Sequence, residues 1–229
     1  MRWIQFEQAH RRKHFEFFRD LNHPHFSVCA QVEIGTWAAA LRTRGWRLNT
    51  GLVYLLARAA NDICEFRQRL REQGVVEHEV VHPSFAVTTE ATDVFSFCEV
   101  AFSEDAGAFM ARAVQTIEAR HLDPSMDDVP GRDDYLFMSA FPWVAFTSVS
   151  HPMQYHPHDS VPRITWGKFV DSGGQLRMPL SVQAHHALVD GVHMGRYFQR
   201  VEELASMPDL VLAADARQEP SPACPFDVR

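Results

Sequence analysis

The chain has 229 residues, 46% apolar and 22% charged, a balance that fills a globular core and excludes an intrinsically disordered chain. Its 22 basic and 29 acidic residues leave a formal charge of −7, and the longest basic run is Arg11-Arg12-Lys13, so neither nucleic acid nor an anionic membrane is an expected partner. The first thirty residues lack the apolar stretch of a signal peptide, and no run approaches bilayer length. A soluble cytoplasmic protein is expected, with Cys29, Cys64, Cys98 and Cys224 reduced.

Val28, Ala30, Val32 and Ile34 recur at every second residue and predict a strand. GLVYLLARAANDICEFRQRL, residues 51–70, is rich in helix formers and predicts a helix. Strands are expected at 75–81, 85–89 and 95–102. A helix follows over 104–120, opened by a Ser and two acids. Further strands are expected at 143–149 (WVAFTSV), 164–170 and 176–184, the last two joined by a hairpin at Gly173-Gly174. Between them HPMQYHPH, residues 151–158, carries prolines and histidines and is expected to be a surface loop. After Asp190-Gly191, the residues Met194, Tyr197, Phe198, Val201 and Leu204 fall at helical intervals, so a strand hands over to a helix with Asp190 near its N-terminus. The fold class is α/β (α+β): a mixed, largely antiparallel sheet packed with helices. It is expected to form one domain over residues 1–207, followed by a peripheral tail over 208–229 that is rich in Ala and Pro.

The chemistry gathers in LSVQAHHALVDG. Extended-chain alternation sends Val182, Ala184 and His186 to one face and Gln183 and His185 to the other. The two histidines then cannot share a metal ion, and no metal is expected. An imidazole at the mouth of a strand-to-helix turn can serve as a general base, since its unperturbed pKa lies near neutrality. The residues alone equally allow a structural reading, with one histidine in the core, one exposed, and Asp190 as a helix cap.

The segment MPLSVQAHHALVDGVHMGRYFQRVEEL, residues 178–204, closely resembles the C-terminal HHxxxDG signature of the trimeric chloramphenicol acetyltransferases. HFEFFR (14–19), NTGLVYLLARAAN (49–61), VVEHEVVHPSFAV (75–87), SAFPWVAFTS (139–148) and ITWGKF (164–169) resemble family segments in the same order. The resemblance implies the fold of the CoA-dependent acyltransferases, with acetyl-CoA as co-substrate. It implies that His186 is the base that deprotonates a hydroxyl of chloramphenicol for direct attack on the thioester, conferring antibiotic resistance. Ser148 would donate to the oxyanion, and Asp190 would pair with Arg19 of the N-terminal helix in a buried ion pair that supports the turn.

For the coenzyme, the resemblance implies Thr165 near the reaction centre through water, Lys168 and Arg47 at phosphates, and Phe169 against adenine in place of a family tyrosine. Asn49 also stands where the family has tyrosine. Phe26, Tyr135 and Phe146 are implied as acceptor-binding residues, joined by Arg163 at a position where the family carries an aliphatic side chain. A closed homotrimer with each site between subunits is implied, in a bacterial cytoplasm. Two alternatives share the scaffold: the same chemistry on another hydroxyl acceptor, or a non-catalytic trimeric binding protein.

Overall fold

A computed structural model describes residues 1–89, 93–127, 129–154 and 159–213. Residues 155–158 of the histidine-rich loop and the tail from 214, Cys224 included, lie outside the described residues. In chain order the elements are β1 (Arg2–Ile4), α1 (Ala9–Arg19), β2 (His25–Glu33), α2 (Gly35–Thr43), α3 (Leu48–Asn61), β3 (Gln68–Arg71), β4 (Gly74–Glu77), β5 (His82–Thr88) and β6 (Phe95–Glu99). They continue with α4 (Ala106–Leu122), β7 (Tyr135–Phe141), β8 (Arg163–Gly167), β9 (Val170–Ser172), β10 (Gln175–His185), α5 (Gly191–Ser206) and α6 (Pro208–Val211).

A seven-stranded sheet runs β2-β10-β8-β7-β5-β6, with β9 added to β10. The β5–β7 and β7–β8 pairs are parallel and the others antiparallel. Register divides it into two unlike faces. Val28, Val182, Ile164, Met138 and Phe85 stand abreast across five strands and join the core. The neighbouring row is Ser27, Gln183, Arg163, Phe137 and Ser84, and the next is Cys29, Ser181, Thr165 and Ser139. Because side chains alternate strictly, one face is apolar and takes the helices, while the other is mostly small and polar. That second face is crossed by the chain between β7 and β8.

Several expected elements are shorter or absent. The helix expected over 51–70 stops at Asn61, whose side chain donates to Ala57 O and Val81 O and accepts from Val81 N–H. That amide pins the helix end to the start of β5, and a short 3-10 turn (Cys64–Arg67) and β3 follow. The strand at 75–81 ends at Glu77 and belongs to a separate three-stranded sheet, β1-β4-β3. Arg69 of β3 is fully buried and donates to the carbonyls of Phe66, Gln68, Asp133 and Tyr135, tying that sheet to the start of β7. Burial in that setting brings its pKa down to about 10.

The strand expected over 143–149 does not form: the segment is irregular after β7, and Trp143 is 69% exposed. The Val144 carbonyl and the Phe146 ring instead dock it on the end of β8. Val144 O accepts from Lys168 N–H at 3.0 Å, and a methyl group on Gly167 would come within 2.7 Å of Val144 O and 2.9 Å of Phe146 Cδ1. Gly167 is therefore required for close approach, not for an unusual φ. The 171–174 hairpin forms as expected, with Gly173 and Gly174 at φ 65° and 82°. Both values are in the left-handed region, as a two-residue hairpin turn requires.

Candidate active site

β10 ends at His185, and the chain then turns into α5. A set of backbone and side-chain hydrogen bonds fixes the turn. His186 N–H donates to Pro24 O at 2.8 Å, and the N–H groups of Leu188 and Val189 return to His185 O. Arg11 of α1 donates to Ala187 O and Leu188 O, both at 2.9 Å. Asp190 caps α5, accepting from Gly191 N–H at 2.7 Å, while His193 Nδ1 accepts from Asp190 N–H at 3.0 Å to complete a capping box.

The two histidines diverge as the alternation predicts. His185 is 1% exposed, accepts from Ala187 N–H through Nδ1, and meets His25 edge-on. His186 goes to the helix side. Its ring stacks on Phe18 (centroids 3.8 Å apart, planes 13° apart), leans on Phe26 at 4.5 Å and meets the edge of His14 at 5.5 Å. Nδ1 is buried without a hydrogen-bond partner, 4.0 Å from Asp190 Oδ1, yet a quarter of the side chain remains open. Packing therefore turns Nδ1 inward, and Nε2 is the nitrogen left to meet a ligand.

The Asp190 carboxylate sits where it can act on that ring through space. Burial raises its pKa, but the Gly191 N–H, His14 and His186 together outweigh it and hold the group below its ordinary value. Asp190 is thus ionised through neutral pH. Its negative charge favours the proton on Nδ1, which leaves the Nε2 lone pair free.

The expected Arg19–Asp190 pair is not formed. Arg19 pairs with its neighbour Asp20 at 2.8 Å on the exposed end of α1, and the Asp190 side chain is half exposed. Arg11, two turns earlier on α1, is the arginine that supports the turn, and it does so through carbonyls. Helical spacing was the available signal: Arg11, His14 and Phe18 share one face of α1, and all three bear on the turn or on His186. Arg11→Ala is expected to cost about 2 kcal/mol of stability for its two carbonyl bonds and, by loosening the turn, to lower kcat about tenfold. Arg19→Ala removes a solvent-screened pair and a cation–π contact with Phe15 at 5.6 Å, and is expected to change neither appreciably. Melting temperature and kcat of the two variants, measured side by side, check this; the reverse order would restore Arg19.

His14, His186 and Asp190 form the one group among the described residues whose potential ligand atoms lie within 4.8 Å of one another. Arg11 Nη1 lies 2.9 Å from His14 Nδ1 and has only N–H to offer, so Nδ1 accepts and the His14 proton sits on Nε2. That Nε2–H faces Asp190 Oδ2 at 3.8 Å. A metal ion bound there would have to displace that proton.

The remaining expected residues fall in three places. Phe26 lies against His186, as described. Ser148 is exposed on the irregular segment between Phe146, which packs at Gly167, and His151, which reaches Thr165. Thr165 is buried on the polar face of β8. His151 was expected in a surface loop; instead it is half-buried, with Nε2 2.9 Å from Thr165 Oγ1.

Arg163 does not present a bare charge. It pairs with Asp159 at 2.5 Å, donates to Val161 O and lies over the Phe137 ring. Tyr135 is 3% exposed and its hydroxyl donates to Glu99. Lys168 and Arg47 are exposed, and Trp166 Nε1, two residues before Lys168, donates to Asn49 Oδ1, two residues after Arg47, at 3.2 Å. Phe169 is half-buried against the core there.

Thr165 stands abreast of Ser181, five positions before His186 on β10. At about 3.3 Å per residue that separation is about 17 Å, and the two side chains leave on opposite faces. One small hydroxyl cannot touch both within a single chain.

The family model for chloramphenicol acetyltransferase matches residues 1–202. Among curated proteins, chloramphenicol acetyltransferase 3 of Escherichia coli is 31% identical over 197 residues, 86% of this chain and 92% of that protein. The chloramphenicol acetyltransferase of Bacillus pumilus is 29% identical over 190 residues, 82% and 86% of the two chains. Among solved structures, a chloramphenicol acetyltransferase superposes with a TM-score of 0.79 at 25% identity, covering 89% of this chain and 99% of that one. The dihydrolipoamide acetyltransferase of Azotobacter vinelandii shares the fold, with a TM-score of 0.64 at 18% identity, covering 91% and 94%.

Proposed function

The chain belongs to the chloramphenicol acetyltransferase family, and from that membership we propose that it transfers the acetyl group of acetyl-CoA to a hydroxyl of chloramphenicol, with His186 as the base. The observation that carries the reading is the His186 ring, clamped between Phe18 and Phe26 with Nδ1 turned inward toward Asp190. Nε2 takes the proton of the acceptor hydroxyl as its oxygen attacks the thioester carbonyl. The Ser148 hydroxyl donates to the oxyanion that forms. Collapse breaks the C–S bond, and the imidazolium returns its proton to the departing CoA thiolate, so no acyl-enzyme is needed.

Arg47 and Lys168 meet the coenzyme phosphates, a role supported by their exposure and by the Trp166–Asn49 contact between their segments. Each complete site takes His186 from one subunit and Ser148 and Thr165 from the next. This division is supported by the opposite faces on which His186 and Thr165 stand, and a closed trimer satisfies it for every copy. No helix among the described residues is long and apolar enough to cross a membrane. Cytoplasmic action is part of the proposal.

A second acceptor class is favoured by the polar character of Thr165, His151 and Gln183 on the face assigned to the acceptor. Thiol release from acetyl-CoA, measured with chloramphenicol and with a panel of other alcohols, tests both. Chloramphenicol-dependent release well above the acceptor-free rate is expected. Release that chloramphenicol does not accelerate, but another alcohol does, would transfer the assignment to that alcohol.

A further inference from the structure

We propose that His151 is a positioning residue for the acyl transfer, fixing the Thr165 hydroxyl and making the acceptor wall polar. The proposal rests on the function assigned above, which is what brings Thr165 near the reacting atoms. The chain between β7 and β8 crosses the polar sheet face and places the His151 ring over β8, with Nε2 2.9 Å from Thr165 Oγ1. The ring does not hang from a loose loop. His151 N–H donates to Gln183 Oε1 at 3.1 Å, and Gln183 Nε2 donates to Met153 Sδ at 3.0 Å, so one β10 side chain holds the segment at two points.

Burial lowers the His151 pKa, and the Arg163 cation adds to the effect, so the ring is neutral at neutral pH. Asp159, which precedes β8, is engaged by Arg163. A neutral imidazole can accept from the Thr165 hydroxyl or donate to it. In either case the hydroxyl rotor is fixed in one direction before the acceptor arrives. An unpinned hydroxyl would have to be ordered as the reaction proceeds, and that ordering cost is removed from the catalytic step.

His151→Phe keeps a ring of similar size and removes the nitrogen. It is expected to lower kcat about tenfold while KM for acetyl-CoA stays within about twofold, because only the Thr165 hydroxyl is released. His151→Gln, whose amide can reach the same oxygen, is expected to recover part of the loss. Thr165→Val should cost a similar factor, and adding His151→Phe to it should cost nothing more, since the two residues act through one contact.

Losses that multiply in the folded double variant overturn the proposal. A readout independent of acceptor is the histidine 15N titration of the full chain. Movement of the His151 titration on Thr165→Val supports the contact, and a titration that stays put overturns it. Wild-type protein inert toward chloramphenicol overturns the function above instead, and the titration then decides His151 alone.

Discussion

Replacing His186 with Ala is expected to lower kcat by about 10²- to 10⁴-fold, the range supplied by a positioned general base. The expectation follows from how the ring is held. Phe18 and Phe26 fix its plane, the backbone bond to Pro24 O fixes the residue, and Arg11 holds the next two carbonyls. Basicity is therefore delivered at one point, and neither neighbouring imidazole, His185 or His14, is placed to substitute. His185 points to the opposite side, against His25. His14 presents an Nε2 that already carries a proton, because its Nδ1 accepts from Arg11. The Ser148 donor and the binding surfaces persist in the variant, so residual turnover above the uncatalysed rate is expected. KM for acetyl-CoA should hold, because Arg47 and Lys168 lie away from the turn. A His186→Ala protein that acetylates at more than a tenth of the wild-type rate would return the ring to a structural role.

Parts of this arrangement are legible in the sequence because a single physical constraint dominates them. β10 and α5 read clearly: alternation in LSVQAHH switches to a 3.6-residue period after an N-capping Asp190, the first because the two buried faces of β10 meet unlike neighbours and the second because α5 buries one side. Gly173-Gly174 is legible for the same kind of reason, since the turn demands positive φ twice. WVAFTSV misleads because it is anchored by one carbonyl and one ring, while Trp143 and Val144 expose their side chains. Val144 and Phe146 pack at Gly167, and the strand that pairs at this place is β7, just before them, whose Leu136 and Met138 enter the core.

The support of the turn is misplaced by one helical face. Family likeness directs attention to an arginine of α1, and Arg19 is the one inside HFEFFR, but it lies at the helix end where Asp20 is the nearest carboxylate. A face count from Phe18 back through His14 leads to Arg11. His151 is invisible for a different reason. It sits fourteen residues from Thr165 in a proline-rich segment without period, and only the path of that segment over the polar sheet face brings the two together.

That polar face leads to the second large effect. Ser148→Ala is expected to lower kcat by about 10²-fold or more through loss of an oxyanion donor, and mixed trimers of this variant with His186→Ala should recover about a quarter of wild-type activity if each site is shared between neighbours. Each variant chain carries one lesion and one intact residue. Were His186 and Ser148 to serve the same site from the same chain, every site in a mixture would still be damaged, and mixing would restore nothing. Were they contributed by adjacent chains, random equal assembly would give an intact His186 with a probability of about one half and an intact Ser148 with the same probability, so about one site in four is whole.

The separation inside the chain favours the second case. Thr165 and the 146–151 segment occupy the face of the sheet turned away from the helices, and His186 lies beyond the end of β10 among the side chains of α1 and β2. Co-expression of the two variants, with subunit mixing verified by native mass spectrometry, gives a readout that rises from near zero. Mixed assemblies that stay inactive would place both residues in one subunit and require the loop bearing Ser148 to swing round the edge of the sheet to reach His186.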